Sequence, residues 1–201
     1  MIKNILILCL GLFFSVNIDA QSRWGIKAGV NLSEINTKVR AYKVDGTNVR
    51  FGFHAGLMFE YDIIPAFVLQ HELLFIQNGT STDAEAGEYN RKNTTTINQL
   101  QLPINLKYNL GLDNLRLFIT TGPYIGYGLS AKREISGENT SVDLYNENLK
   151  RFDFGVGIGA GINLRHFIFG INYQHGIINL SKIYDIKYKM RTLQLSLGYL
   201  F

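Results

Sequence analysis

The sequence has 201 residues, of which 46% are hydrophobic and 18% are charged, and its formal net charge is +4. This length suits one domain. Twenty glycines and 12% aromatic residues favour an all-β fold over a helical one. The basic residues are spread along the chain without a cluster, which argues against nucleic acid as a partner.

The first twenty residues have the pattern of a secretory signal peptide. Lys3 precedes an apolar run over residues 5–18, and the small residue Ala20 stands where cleavage is expected. An N-terminal anchor helix is the alternative, but the run is shorter than the roughly 18 residues that a membrane-spanning helix needs. Cys9, the single cysteine, would leave with this segment. We therefore divide the chain into a signal peptide, residues 1–20, and one domain, residues 21–201.

Apolar and polar residues alternate in eight later segments, which is the two-residue period of a β-strand. These segments cover residues 24–32, 49–61, 66–78, 94–108, 115–130, 151–164, 167–175 and 190–201. Polar stretches at 33–48, 79–93, 132–150 and 176–189 predict long loops, and they alternate with short turns. The pattern predicts an all-β fold: an eight-stranded antiparallel transmembrane β-barrel with short periplasmic turns and long extracellular loops.

The two faces of these strands differ in chemistry. The apolar face carries large side chains, as lipid contact requires, whereas the other face combines glycines with charges of both signs. We expect the following residues to form a paired charge network inside the barrel: Lys27, Glu60, Glu72, Lys107, Arg116, Arg151 and Asp153. Aromatic residues near the strand ends predict two interfacial girdles, and Pro103 and Pro123 predict bulges within their strands.

Two other functional classes remain open at this point. An outer-membrane lipid-modifying enzyme would need a site at the outer rim, for which His175, Ser33 and Asp185 are the candidates. A soluble lipocalin-like ligand carrier would have the same strands with the apolar face turned inward. The histidines lack metal-ligand spacing, and a formal dinucleotide fingerprint beginning at Gly155 is followed by a strand where that motif needs a helix. We expect no metal, no cofactor and no enzymatic activity.

Several motifs, in this order, resemble those of the PorT-like outer-membrane β-barrel, or porin-family, proteins. They are W-G-I-K-A-G-V-N-L-S from Trp24, F-G-F-H-A-G-L from Phe51, L-Q-H-E-L-L-F from Leu69, Q-L-P-I-N-L-K-Y from Gln101, T-G-P-Y from Thr121, F-D-F-G-V-G-I-G-A-G from Phe152, and the final L-S-L-G-Y-L-F. His71 departs from the pattern, which tends to have proline there. The resemblance implies a barrel in the outer membrane of a Gram-negative bacterium, and involvement in secretion or envelope integrity.

The last predicted strand resembles an assembly signal. Tyr199 and Phe201 end a run of alternating apolar residues, which resembles the signal by which outer-membrane barrels are recognised by the barrel assembly machinery.

We expect the protein to be a monomer in contact with outer-membrane lipid, with any protein or small-ligand partner bound at the extracellular loops. Because eight strands enclose only enough space for side chains, we expect no wide pore.

Overall fold

The computed structural model describes residues 22–39, 42–43, 47–86, 89–111, 115–135 and 141–201. Its strands are β1 Ser22–Val39, β2 Tyr42–Lys43, β3 Thr47–Ile64, β4 Phe67–Ala86, β5 Tyr89–Leu110, β6 Leu115–Ile135, β7 Ser141–Asp143, β8 Phe152–Leu164, β9 Phe167–Gly176 and β10 Ile186–Leu200. One short helix, α1, covers Leu144–Glu147. The predicted signal peptide and its cleavage point lie outside the described residues.

The eight long strands form a closed antiparallel barrel. Each pairs with its neighbour in the barrel, and β10 pairs with β1 from Gly25↔Leu200 to Val39↔Ile186. Closure leaves no exposed sheet edge among these strands. Within the described part of the chain, no helix has the length and apolar character needed to cross a membrane. The predicted eight-stranded antiparallel fold is confirmed.

The barrel turns its apolar side chains outward and its polar side chains inward. Outward residues such as Phe51 and Ile158 remain 76% and 64% exposed, whereas the inward residues Lys107 and Asn31 are fully buried. A soluble barrel would have the reverse arrangement, because its outer surface must be wetted. The alternative of a soluble lipocalin-like carrier is therefore wrong.

Several strands are longer than the sequence predicted. Residues 79–93, predicted as a loop, belong mostly to β4 and β5, which stay paired up to Ala86↔Tyr89. The predicted loops at 33–48 and 132–150 also contain strand, including β2 and β7. The prediction of a loop from polar composition was wrong. Cross-strand hydrogen bonds satisfy the backbone of a Thr- and Asn-rich hairpin as well as that of an apolar one.

The two prolines interrupt pairing without forming bulges. Pro103 remains in register with Tyr124, and Pro123 with Val156. Register shifts occur elsewhere, between Val49 and His54, between Asp62 and Ile64, and between Asn98 and Gln99. The predicted bulges at the prolines are therefore wrong: a missing N–H costs one ladder bond, but it does not require an additional residue.

An apolar cap covers the mouth of the barrel at the end with the long connections. Leu144 and Tyr145 of α1, with Leu149 and Leu180 from the connections, are buried against inward residues of the barrel wall. Those wall residues are Ile35, Ile97, Ala131 and Met190. Asp143 begins α1 by accepting a hydrogen bond from the Tyr145 backbone N–H (3.0 Å). The connections at this end therefore fold over the interior.

Candidate functional site

A chain of ion pairs lies inside the barrel near the short-turn end. Lys107 Nζ is 2.6 Å from Glu60 Oε1, and Arg23 lies 3.2 Å from Glu60 Oε2 and 2.9 Å from Asp62 Oδ1. Lys107 also donates to Asn163 Oδ1 at 3.2 Å. The buried charges of this group thus have partners of opposite sign, as burial requires.

A second ion pair lies next to the first along the interior. Lys27 Nζ is 2.9 and 3.0 Å from the two carboxylate oxygens of Glu72. Gln70 donates a further hydrogen bond to Glu72. Lys27 belongs to β1 and Glu72 to β4. The contact therefore passes over the intervening strand β3, along the inner face of the barrel.

The remaining predicted interior charges lie apart from these pairs. Arg116 is exposed near the turn between β5 and β6. Arg151 precedes β8, donates to the carbonyls of Gly128 and Leu129, and lies over the ring of Tyr145 at 4.6 Å. Asp153 is buried below the cap and accepts a hydrogen bond from Tyr124 Oη at 3.3 Å.

Arg23 and Asp62 were missing from the predicted charge network. Arg23 extends the inward series of β1, which continues through Gly25 and Lys27, by one step towards the terminus. Following the alternation past Trp24 would have found it. Asp62 follows Glu60 by two residues and could have been found in the same way.

Neutral polar side chains fill the next level of the interior. Asn31 Oδ1 lies 2.7 Å from His54 Nδ1, and Gln174 donates to Gln101 Oε1 at 2.9 Å. A cavity of about 20 Å³ lies nearby, between Lys27 and neighbouring side chains. This volume holds about one water molecule. The inward residues at this level, among them Asn31, Gln101 and Gln174, are buried, so side chains fill the interior here.

The structure does not bring the candidate rim residues together. Ser33 faces inward, where its hydroxyl donates to the Gly79 carbonyl at 3.0 Å and accepts from the Gly79 N–H at 2.8 Å. His175 alternates with the buried Gln174 and Gly176 and so faces outward. Asp185 lies in the β9–β10 connection with φ of 66°. Ser33 and His175 are thus on opposite faces of the wall, which is not the geometry of a nucleophile and its base.

Aromatic rings join the two sides of the barrel seam at the short-turn end. Trp24 and Phe201 stack with centroids 4.2 Å apart, and the Phe201 N–H donates to the Trp24 carbonyl at 2.8 Å. Tyr199 contacts Phe201 and Phe167 edge-to-face, at 5.2 and 5.3 Å. The residues proposed as an assembly signal therefore also close the barrel. No group of His, Cys, Asp and Glu that could hold a metal ion occurs among the described residues.

Comparisons with solved structures find other outer-membrane proteins. OprG from Pseudomonas aeruginosa is 13% identical, with a TM-score of 0.53 over 90% of this chain and 97% of that chain. Ail of Yersinia pestis, in complex with the heparin analogue sucrose octasulfate, is 19% identical, with a TM-score of 0.46 over 90% and 99%. The outer membrane enzyme PagL is 17% identical, with a TM-score of 0.48 over 84% and 98%.

A search of curated proteins gives no match. The family described as outer membrane protein beta-barrel domain matches residues 19–182, which is most of the chain. This match agrees with the closed barrel and its apolar outer face. The chain belongs to the outer membrane protein beta-barrel domain family.

Proposed function

We propose that this protein is a closed, non-conducting outer-membrane barrel that binds a partner through an extracellular hairpin, the outer halves of β4 and β5. The observation that carries the proposal is the length of these strands, 20 and 22 residues, which with the 21 residues of β6 exceeds the 13 in β8 and 10 in β9. A barrel strand needs about 9–11 residues to cross a membrane. About ten residues of each long strand therefore extend beyond the bilayer.

Side chains from neighbouring strands hold the base of this hairpin. Arg50 of β3 reaches over Gly79 of β4 and donates to the Thr95 carbonyl at 3.1 Å and to the Thr96 hydroxyl. A Cβ at Gly79 would lie 2.1 Å from the Thr95 carbonyl oxygen and 2.9 Å from the Arg50 guanidinium, so glycine makes room for both groups. The Ser33 hydroxyl of β1 holds the Gly79 backbone through its N–H and its carbonyl. A hairpin fixed in this way loses little conformational entropy when it binds.

The proposal includes no catalytic step. Within the family, we propose that the protein is PorT-like. The role in secretion or envelope integrity that this resemblance implies is a prediction. Contacts with outer-membrane lipid and with the barrel assembly machinery are part of the proposal, as is the monomeric state.

A hairpin truncation tests the proposal. Ser81 pairs with Thr94, so residues 82–93 can be replaced by Asn-Gly, which closes a two-residue hairpin without altering the membrane-spanning strands. We expect the truncated protein to reach the membrane and to resist unfolding in cold detergent like the wild type. Proteins cross-linked to the wild type at the cell surface should be lost from the truncated variant. An unchanged set of cross-linked proteins would assign binding to another region.

A further inference from the structure

A row of cationic side chains lies on the outward face of the barrel at its extracellular end. Lys187, Lys189 and Arg191 occupy alternate positions of β10, whose intervening residue Met190 is buried inside. His175 of β9 pairs with Arg191. Glu34 of β1 lies 3.5 Å from Arg191 and balances one of these charges. Like charges at consecutive positions on one face repel, so this row favours an anionic ligand.

An apolar groove begins directly below these cations. It has a volume of about 740 Å³ and lies on the outward wall, where its lining runs from Phe67 of β4 to Leu193 of β10 over the small side chains Thr121 and Ala160. Tyr173 and Leu193 line it, and they pair with each other across β9 and β10. His175 and Arg191 are the next outward residues on the same two strands, about 7 Å further along at 3.3 Å per residue.

The groove and the cationic row lie on one continuous surface. The long connections place the cations at the extracellular side, because barrels of this type have short periplasmic turns and long extracellular loops. The groove itself then lies at the depth of the hydrocarbon region. A ligand that fills both parts must have an apolar chain and an anionic head.

We propose that this surface binds one phosphorylated lipid of the outer leaflet, with an acyl chain in the groove over Ala160 and its phosphate against Lys189, Arg191 and His175. Arginine and lysine are the side chains that pair with phosphate through charge-assisted hydrogen bonds. The proposal concerns the outward wall at the depth of the groove and the cations of β9 and β10 above it, and it does not depend on binding by the outer halves of β4 and β5.

Native mass spectrometry of the full chain in detergent tests the proposal, because it counts the lipids that remain bound. The probes are a diphosphorylated glycolipid, the same glycolipid without its phosphates, and inorganic phosphate. We expect the wild type to retain the phosphorylated glycolipid preferentially. The triple variant Lys187→Gln/Lys189→Gln/Arg191→Gln should lower its retention roughly 10- to 100-fold and abolish the preference.

Two further variants separate the parts of the site. Ala160→Phe fills the groove and should weaken retention of both glycolipids while the cations stay in place. The control Lys132→Gln/Arg133→Gln removes two exposed charges from β6, outside the groove, and should retain lipid like the wild type. Equal retention of the two glycolipids by the wild type would overturn the proposal. Competition by inorganic phosphate with no effect of Ala160→Phe would overturn the lipid assignment in favour of a free phosphate.

Discussion

Lys107 Nζ and Glu60 Oε1 lie 2.6 Å apart inside the barrel, and neither side chain is exposed. Removing one partner leaves the other charge buried. We expect Lys107→Met to lower the free energy of unfolding by about 3 kcal/mol, with the contact between Arg23 and Glu60 limiting the loss. This change is measured by urea titration of the protein in lipid vesicles, with the folded fraction read from heat-modifiable gel mobility.

The double variant Lys107→Met/Glu60→Leu provides the control for that experiment. It removes both charges, and Arg23 keeps Asp62 as a partner at 2.9 Å. We expect it to recover most of the stability lost in the single variant, because a buried ion pair contributes little beyond an apolar pair of similar volume. A double variant as unstable as Lys107→Met would show that the loss comes from packing and not from the unpaired charge.

The pair between Lys27 and Glu72 gives a second stability prediction. Glu72→Ala removes two short contacts to a lysine that is only 11% exposed. We expect a lower melting temperature in the gel-shift assay, with a loss of about 3 kcal/mol. Glu147→Ala, at an exposed position of α1, is the matched control and should leave the melting temperature unchanged. Equal melting temperatures for Glu72→Ala and Glu147→Ala would show that the ion pair does not stabilise the barrel.

Alternation along the strands predicted the face that each residue occupies, but not its partner. Lys27 and Glu72 both follow from the two-residue period as inward residues. Their contact depends on the stagger between β1, β3 and β4, which is a property of the closed barrel and not of any one segment. The separate positions of Arg116 and Asp153 have the same origin, since each lies at a different height along the barrel axis.

The cap could not be predicted from composition. Leu144, Tyr145 and Leu149 are scattered among polar residues, and they are buried in one cluster with Ala131, which faces inward. The register shift between Asn98 and Gln99 skips one residue of β6 and reverses its alternation, so that Ala131 pairs with Ile97 inside the mouth. Glycine often marks a bulge, and Gly128 lies beside this one, but Gly126 of the same strand stays in register, so the sequence does not single out the position.

Gly128 makes room for the cap, which leads to a third prediction. A Cβ at this position would lie 1.7 Å from the Tyr145 hydroxyl. Tyr145 is buried, and its burial raises the pKa of the hydroxyl, so the hydroxyl stays neutral. We expect Gly128→Val to displace α1 and to increase cleavage of the β6–β8 connection when intact cells are treated with protease. Gly126→Ala is the control, because its Cβ would lie no closer than 3.3 Å to a neighbouring atom. Equal cleavage of the two variants would mean that the cap does not depend on this contact.

The filled interior predicts very low conductance. Below the cap, Gln101 and Gln174 are bonded across the barrel, and Lys27 and Glu72 follow towards the short-turn end. We expect no stable conductance steps in planar bilayers, for the wild type or for Tyr145→Ser, because removing the cap leaves the lower levels in place. Steps comparable to those of a barrel with sixteen or more strands, recorded alongside, would contradict the closed interior.

The contact between Trp24 and Phe201 gives the last prediction. Phe201 stacks on Trp24 and donates its backbone N–H to the Trp24 carbonyl, so it contributes to the seam as well as to the proposed assembly signal. Phe201→Ala removes the ring but keeps the backbone bond, whereas deletion of Phe201 removes both. If assembly depends on the terminal ring, both variants should reach the cell surface at reduced levels, measured by surface labelling. Phe169→Ala, which removes a half-exposed ring from the wall of β9, is the control and should assemble normally. Normal surface levels combined with a lower melting temperature in both terminal variants would instead assign Phe201 to the seam alone.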